Sequence, residues 1–582
     1  MKTKGEIEFE ILDTTAIEDS SVSAQNNNIQ SYSNLSEIVE EDVNRKKYVT
    51  FEKNFSVLDG SLNLIDENDN TGLGYSSLSM SNSNGELTTN SVLIFEFEGY
   101  HTSPGITLEF AGDSYSTDFT VQYYKNNTLI YENDYSADSL FYYCEEASIE
   151  EYNKIIITFR EMSNGYRYVK ISRIYFGCIK IFGEDLLISA NATHEIDLLS
   201  SELNIGKLSF KVSNSDRKFS LLNPEGIYSS LQDKQKIRAY EYLDNDRVLL
   251  GTFYLSSWKN TSEQVANFEG QDAIGLMDTS TFYGGMYADI LSQDLINIIL
   301  TDANIEYELD EVLENIHLSG YIPKCSHREA LQQVLFVIGA IAKTSGSEIL
   351  QIYVPQTNYV SSTISKNRKH TKKNEVSIYN IVTGVDVTYF GYQLANSSTE
   401  VYKEVLDEGV QILELREPVG VDSITVTGAT IVSKGVNYVK VNVAQDNTTV
   451  IVNARVYEES KNTIQLRKER TTEAENNVIV KNATLINKTN AKTVGKRILD
   501  FYEDKYKIEF QFKSKGEETG DCVSIESLYE SRVFGNIQKT NIDMTGGAIV
   551  KCVAIGVLLR AYTEFNSCGE FYCNDSFYRE MI

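Results

Sequence analysis

Tryptophan is almost missing from this sequence: Trp258 is the single copy in 582 residues. Proline is scarce at five residues, which excludes a stiff proline-rich linker. Seven cysteines are present: Cys144, Cys178, Cys325, Cys522, Cys552, Cys568 and Cys573. Their odd number and wide spacing argue against a disulfide framework. Cys568 and Cys573 alone lie close together, and one C-x4-C pair without a second is a poor zinc signature. Buried free thiols are expected instead. No apolar run approaches the roughly 18–20 residues of a membrane helix; Val334 to Ala342 is too short. The opening MKTKGEIEFEILD has lysines but no apolar core behind them, so it does not read as a signal peptide and synthesis in the cytoplasm is expected. Basic residues are few, 53 against 83 acidic, for a formal charge of −30. That balance repels phosphate polymers and argues against specific DNA or RNA binding. An acidic wall does suit a channel through which DNA slides without sticking.

Catalytic signatures are lacking too. The five histidines, His101, His194, His317, His327 and His370, fall in no H-E-x-x-H or H-x-E spacing. There is no G-x-S-x-G elbow, no phosphate-binding loop and no G-x-G-x-x-G after a strand. Cys325 beside His327 suggests a nucleophile pair, but His327 falls in the first turn of a helix, where an exposed, inert residue is expected. Asp66 to Gly72 resembles a calcium loop with its glycine one place late and no Glu at position twelve, so a polar turn is expected. The run Lys366, Arg368, Lys369, His370, Lys372, Lys373 reads as a solvated loop able to dock an acidic neighbour. No catalytic, cofactor or metal residue is assigned, no cofactor is expected, and the chain does not read as an enzyme.

What is present is alternation. Ile7, Phe9 and Ile11 alternate with Glu6, Glu8 and Glu10. Leu93, Phe95 and Phe97 alternate with Ile94, Glu96 and Glu98, and Tyr506, Ile508, Phe510 and Phe512 with Lys505, Lys507, Glu509 and Gln511. Each run predicts a strand with one buried face. Turn signals at 164–165, 223–224 and 546–547 separate such runs. Helical period appears three times. Ser326 and Glu329 form a capping box ahead of Leu331, Val334, Leu335 and Ile338. Asp294 to Asn304 carries Leu295, Ile299 and Leu300. Asn490 caps a third helix running to about Asp504, with Val494, Ile498, Phe501 and Tyr502 facing inward. The fold class expected is mainly β and multidomain.

The stretches Tyr48 to Asn54, Leu58 to Ser61, Gly74 to Ser77, His101 to Phe110 and Arg167 to Gly177 resemble a discoidin-like jelly-roll of the kind found in baseplate proteins of Gram-positive phages. Leu208 to Asn214, Phe219 and Gly251 to Leu255 are similar to the first tube-like barrel of phage tail hubs. Gly320 to Pro323 with Arg328 to Gln333 resembles the small α/β domain of those hubs. Val382 to Thr388, the helix at 490–504, the strand to Phe512, Gly520 to Val523 and Ile537 to Gly547 resemble their second barrel. The resemblance covers about residues 45–560 and implies this division: an N-terminal arm (1–47), a discoidin-like β-sandwich (48–180), a first tube-like barrel (181–275), a helical α/β domain (276–355), a second tube-like barrel (356–420 and 485–560), a β insertion (421–484) and a C-terminal tail (561–582).

The function this resemblance implies is structural: a baseplate or tail hub protein of a phage or phage tail-like bacteriocin, adapting tail tube to spike. Its implied partners are tube, spike, wedge or fibre proteins and further copies of itself, a trimer being favoured. Its implied location is the tail of an extracellular particle, assembled after synthesis in the bacterial cytoplasm. The alternative is a tail-borne glycan-binding protein using the jelly-roll, with Tyr100, His101, Tyr123 and Tyr124 facing the sugar. A wall hydrolase is the third reading, and no zinc set, Cys–His pair or isolated carboxylate dyad supports it.

Overall fold

The computed structural model describes residues 4–13, 15–25, 28–39, 50–53, 74–223, 226–243, 246–356, 359–468, 474–503, 505–527, 531–547 and 549–559. The chain is mainly β and multidomain. Its spine is a 13-stranded sheet. Along the main path the order is Lys369–Ile378, Lys505–Lys513, Ile549–Leu559, Arg532–Asp543, Leu187–Glu195, Lys207–Ser213, Val265–Gln271, Asp246–Ser262, Lys236–Leu243, Lys4–Leu12 and Gly177–Phe182. Ser362–Ile364 and Cys522–Glu526 attach through Arg532–Asp543. The two halves meet where Leu187–Glu195 pairs with Arg532–Asp543, in register from Asn191↔Asp543 to Glu195↔Lys539. One apolar cluster runs through both, from Phe9, Phe210 and Phe268 to Ile508, Phe510 and Phe512.

The opening strand is not an arm: Lys4–Leu12 lies inside this sheet, between Lys236–Leu243 and Gly177–Phe182. Phe9 is fully buried, edge-on to Phe268 at 5.4 Å and to Phe210 at 6.3 Å. Burying such a ring contributes on the order of 2–3 kcal/mol, enough to fix the register. The alternate glutamates hold arginines on the other face. Glu6 and Glu8 meet Arg247 at 2.7 and 2.8 Å, and Arg238 sits among Glu8, Glu10 and Glu348.

The sandwich is a seven-stranded antiparallel sheet folded over its own core, its seventh strand being Ser20–Ala24, which pairs beside Glu86–Phe110. Glu86–Phe110 and Phe141–Met162 are long enough to pass through both layers. Their pairing breaks register between Glu96 and Gly105, where the layers turn. Gly105 sits at φ +116, and a Cβ there would lie 2.0 Å from the Cys144 carbonyl oxygen. The turn therefore requires glycine.

Helices Ser292–Asp302, His327–Ile338 and Ala491–Phe501 share one core with the short strands around them. Two expectations for the second barrel are corrected here. Gly384–Leu394 pairs with Tyr457–Arg467 and Asn477–Val480 in a separate three-stranded sheet, and helix Ala491–Phe501 packs on that sheet. Gly495 gives the close approach, with Leu466 and Val387 side chains against it. The inserted β unit also starts earlier than position 421. Thr399–Leu406 pairs with Thr448–Ala454, and Gly409–Glu414 with Tyr438–Val443, around a core of Leu413, Val439, Val441, Val450 and Val452. It docks through Asn437, 3% exposed, which accepts from the Tyr321 hydroxyl at 2.7 Å and donates to the Tyr283 carbonyl at 2.8 Å.

Candidate functional site

The four tyrosine and histidine positions expected to face a glycan do not share a surface. Tyr123 is fully buried inside the sandwich, edge-on to Tyr152 at 5.2 Å. It pairs with Tyr131 and Ile155, so alternation turns its ring to the core. His101 is 4% exposed and bonded on both ring nitrogens, to Asp13 at 2.9 Å and Asp19 at 3.0 Å. Burial thus corrects the expectation for both. Tyr100 is exposed, its hydroxyl donating to Asn126 Oδ1 at 2.9 Å, and Tyr124 is half-buried against Gln122.

The Cys325–His327 pair is equally disposed of by its surroundings. The capping box forms as read: Glu329 N donates to Ser326 Oγ, and Ser326 N to Glu329 Oε2, each at 3.2 Å. His327 is buried rather than exposed, clamped by Ser280 Oγ at 2.8 Å and Asp302 Oδ2 at 2.9 Å. Burial, reinforced by Glu329, pushes the Cys325 thiol up to about 12, so the nucleophilic thiolate is disfavoured. Asn490 makes no capping bond from its side chain. Asn487 Oδ1 instead accepts from the Thr489 and Asn490 amides at 2.9 and 3.3 Å, three residues earlier. The Asp66–Gly72 loop lies outside the described residues.

The basic run is partly used internally. Arg368 grips Glu517 at 2.6 and 2.7 Å, holding that carboxyl below its usual range although burial opposes it, and Lys369 donates to the Glu526 carbonyl. The side chains of Lys372 and Lys373 lie outside the described set. The strand this run opens, Lys369–Ile378, is more informative. Among the described residues it ends the 13-stranded sheet and pairs on one side only, with Lys505–Lys513. Val376 and Ile378 stand opposite Ile508 and Tyr506, yet are 61% and 68% exposed. An unpaired edge bearing apolar side chains on its core face is a template for another strand. Sequence reading missed it because EVSI in isolation looks like any other half-buried strand. At the sheet's other end the start of Gly177–Phe182 is covered, with Thr107 Oγ1 donating to the Gly177 carbonyl at 3.0 Å.

Beside the free edge lies a polar groove of about 890 Å³. It is lined by Glu195, Glu375, Glu509, Lys507, Lys539 and Lys551 among others. Lys507–Glu509, along one strand, and Lys539–Glu195, between neighbouring strands, pair in its lining at 2.6 Å each, so its charge is balanced. Among the described residues no helix is long and apolar enough to cross a membrane.

No protein-family model matches the sequence, and no curated protein does. Solved structures with a similar course include the tail protein from Neisseria meningitidis MC58, at 9% identity, TM-score 0.39, covering 65% of this chain and 93% of that one. Prophage tail protein gp18 from Listeria monocytogenes EGD-e aligns at 9% identity and TM-score 0.37 over 64% and 91%. Chitosan-binding module 1 of a chitosanase/glucanase from Paenibacillus sp. IK-5 aligns at 11% identity and TM-score 0.17 over 28% and 95%.

Proposed function

We propose that the chain is a non-enzymatic structural protein of a phage-type tail, placed at or beside the baseplate hub. There it joins copies of itself to tube, spike, wedge or fibre proteins. The observation that carries this reading is the spine: two halves of the chain fused into one sheet that, among the described residues, stops at a one-sided edge strand, Lys369–Ile378, whose end exposes Val376 and Ile378. The lysines at 369, 372 and 373 blunt the start of that edge, whereas its end, with Val376 and Ile378 exposed, is left for a neighbour. The order of hub-like motifs along the sequence supports the same reading. Two tube-like halves per chain and three chains give six, which favours a homotrimer.

The test is the mass in solution by light scattering, alone and with the products of neighbouring genes. A trimer that recruits a tube or spike protein is expected. Replacing Val376 and Ile378 by lysine should leave the fold intact, because both are exposed, and reduce the mass to one chain. A monomer in the unmodified protein that ignores those neighbours overturns the proposal. The glycan-binding reading now rests on Tyr100 and Tyr124 alone, and binding of cell-wall glycan by such a monomer would favour it.

A further inference from the structure

Glu146 is a carboxylate at the rim of the sandwich whose neighbours are phenols. It follows Cys144 by two positions on Phe141–Met162, and Cys144 belongs to the sandwich core, so alternation turns Glu146 between the layers. It is half-buried, and among the described residues no lysine or arginine pairs with it. Thr128–Tyr135 is the last strand of the seven-stranded sheet and, among the described residues, pairs on one side only, with Ser116–Lys125. Tyr131 stands opposite Tyr123, Asn133 opposite Val121 and Tyr135 opposite Phe119, so all three share the core face. They reach across the rim to Glu146. The Tyr131 hydroxyl donates to Oε2, the Tyr135 hydroxyl to Oε1, and Asn133 Nδ2 to Oε1 at 2.7 Å.

Counting donors decides what such a rim can hold. Each phenol has one hydrogen, and Tyr131 and Tyr135 both commit theirs to Glu146. Burial, reinforced by Glu146, pushes the Tyr131 phenol up to about 12, so it keeps that hydrogen at neutral pH. What remains on the phenols and the carboxylate is lone pairs and one negative charge. Beneath them the Tyr123 hydroxyl is fully buried, with Tyr135 and Glu146 among its neighbours and no hydrogen-bond partner among the described residues. This lining repels anions and leaves neutral acceptors without a donor. An ammonium, with three N–H groups and no lone pair, complements it. Tyrosine rings beside the charge add cation–π attraction. Tyr131 and Tyr135 are half-buried, which leaves part of each ring at the surface, and exposed Asn133 keeps a second N–H for a hydroxyl. A pyranose ring bearing an amino group uses all of these features, whereas a lysine side chain uses only the charge.

We propose that the rim formed by Tyr131, Asn133, Tyr135 and Glu146 binds the free amino group of an amino sugar in a glycan. Glu146 supplies the charge, the phenol oxygens complete the acceptors around the ammonium, and Asn133 meets a ring hydroxyl. The site is separate from the Tyr100 surface, and nothing in it depends on the tail assignment.

Isothermal titration of the full chain tests the site, at about pH 6 so that the amines are protonated and in about 0.15 M salt to screen its general negative charge. The probe is a glucosamine tetramer, and the N-acetylglucosamine tetramer is its uncharged counterpart. Binding of the first and not of the second is expected. Glu146→Gln keeps an acceptor for Tyr135 and Asn133 but removes the charge, and should weaken binding at least about tenfold. Tyr131→Phe keeps the ring, removes one acceptor and should weaken binding about threefold or more, which preserves the test should Glu146→Gln fail to fold. Glu132→Gln makes the same charge change at an exposed neighbour bonded to Gln122, and should leave binding within about twofold. Circular-dichroism melting checks that each variant is folded. No binding, equal binding of the two tetramers, or equal losses at Glu146 and Glu132 overturns the site. So does a Tyr100→Ala variant that loses binding while Glu146→Gln retains it. A lysine tetramer that competes as strongly as the sugar moves the ammonium to a protein partner and overturns the glycan.

Discussion

Single residues show where alternation informs and where it misleads. Along Lys236–Leu243 the inward positions are Ile237, Ala239 and Glu241, a carboxylate in an apolar row. Glu241 is 2% exposed, its Oε1 has no hydrogen-bond partner, and burial pushes it up to about 7 from an ordinary 4.5. The folded state therefore holds this proton more tightly than the unfolded chain does. Stability is lost as pH rises from about 4.5 through 7, once the buried group must ionise. Glu241→Gln removes that cost, so its unfolding free energy from urea titration should exceed the parent's at pH 8, by up to about 3 kcal/mol, and match it near pH 4.5. An equal offset at both pH values would mean that packing, not ionisation, is what the substitution changes. The sequence displayed this glutamate plainly. What it concealed was His101 and Tyr123, whose burial depends on partners distant in the chain: Asp13 and Asp19 for His101, and the strand holding Ile155 for Tyr123.

Elements specified by neighbouring residues were legible; those specified by distant partners were not. The capping box of helix His327–Ile338 depends on four consecutive residues and forms as read. Its C-terminus depends on Arg497, from another helix, which donates to the Phe336 and Val337 carbonyls. Burial pulls that guanidinium down to about 10, yet it stays charged at neutral pH, where it complements the helix dipole. Gly339 closes the helix at φ +81, and a Cβ there would lie 2.5 Å from Arg497 Nη1. Gly339→Ala thus meets both backbone strain and a displaced arginine, and should cost about 1–2 kcal/mol or more. Ser326→Ala, which removes the cap alone, should cost about 1 kcal/mol. Urea unfolding followed by circular dichroism separates them; an alanine at 339 milder than the one at 326 would show that Arg497 relocates freely. By the same logic Gly384–Leu394 was misplaced. Its own alternation suits any sheet, and only its partners, some 70 residues later, exclude the second barrel.

At the scale of the molecule, two halves built from separate stretches of the chain form one sheet over one core and are expected to unfold as one cooperative unit. Their strands pair directly, and their apolar residues form a single cluster. The lone tryptophan makes this measurable. Trp258 lies on Asp246–Ser262 in the first half and packs against that shared core, so its fluorescence reports that half alone. Phe510 lies in the second half, 3% exposed and 5.4 Å from Phe512. Phe510→Asp buries a charge among aromatic rings, at a cost above about 3 kcal/mol. Were the halves independent, Trp258 would melt at its parental temperature while amides of Ile549–Leu559 exchanged freely. A shared core requires instead that the Trp258 transition fall together with the second half, since removing either leaves the other's inner face in water. The sandwich has a separate core, held on through Gly177–Phe182 and the His101 joint. Protection from exchange in its strands should persist past that transition, because the substitution takes nothing from the contacts that hold its two layers together.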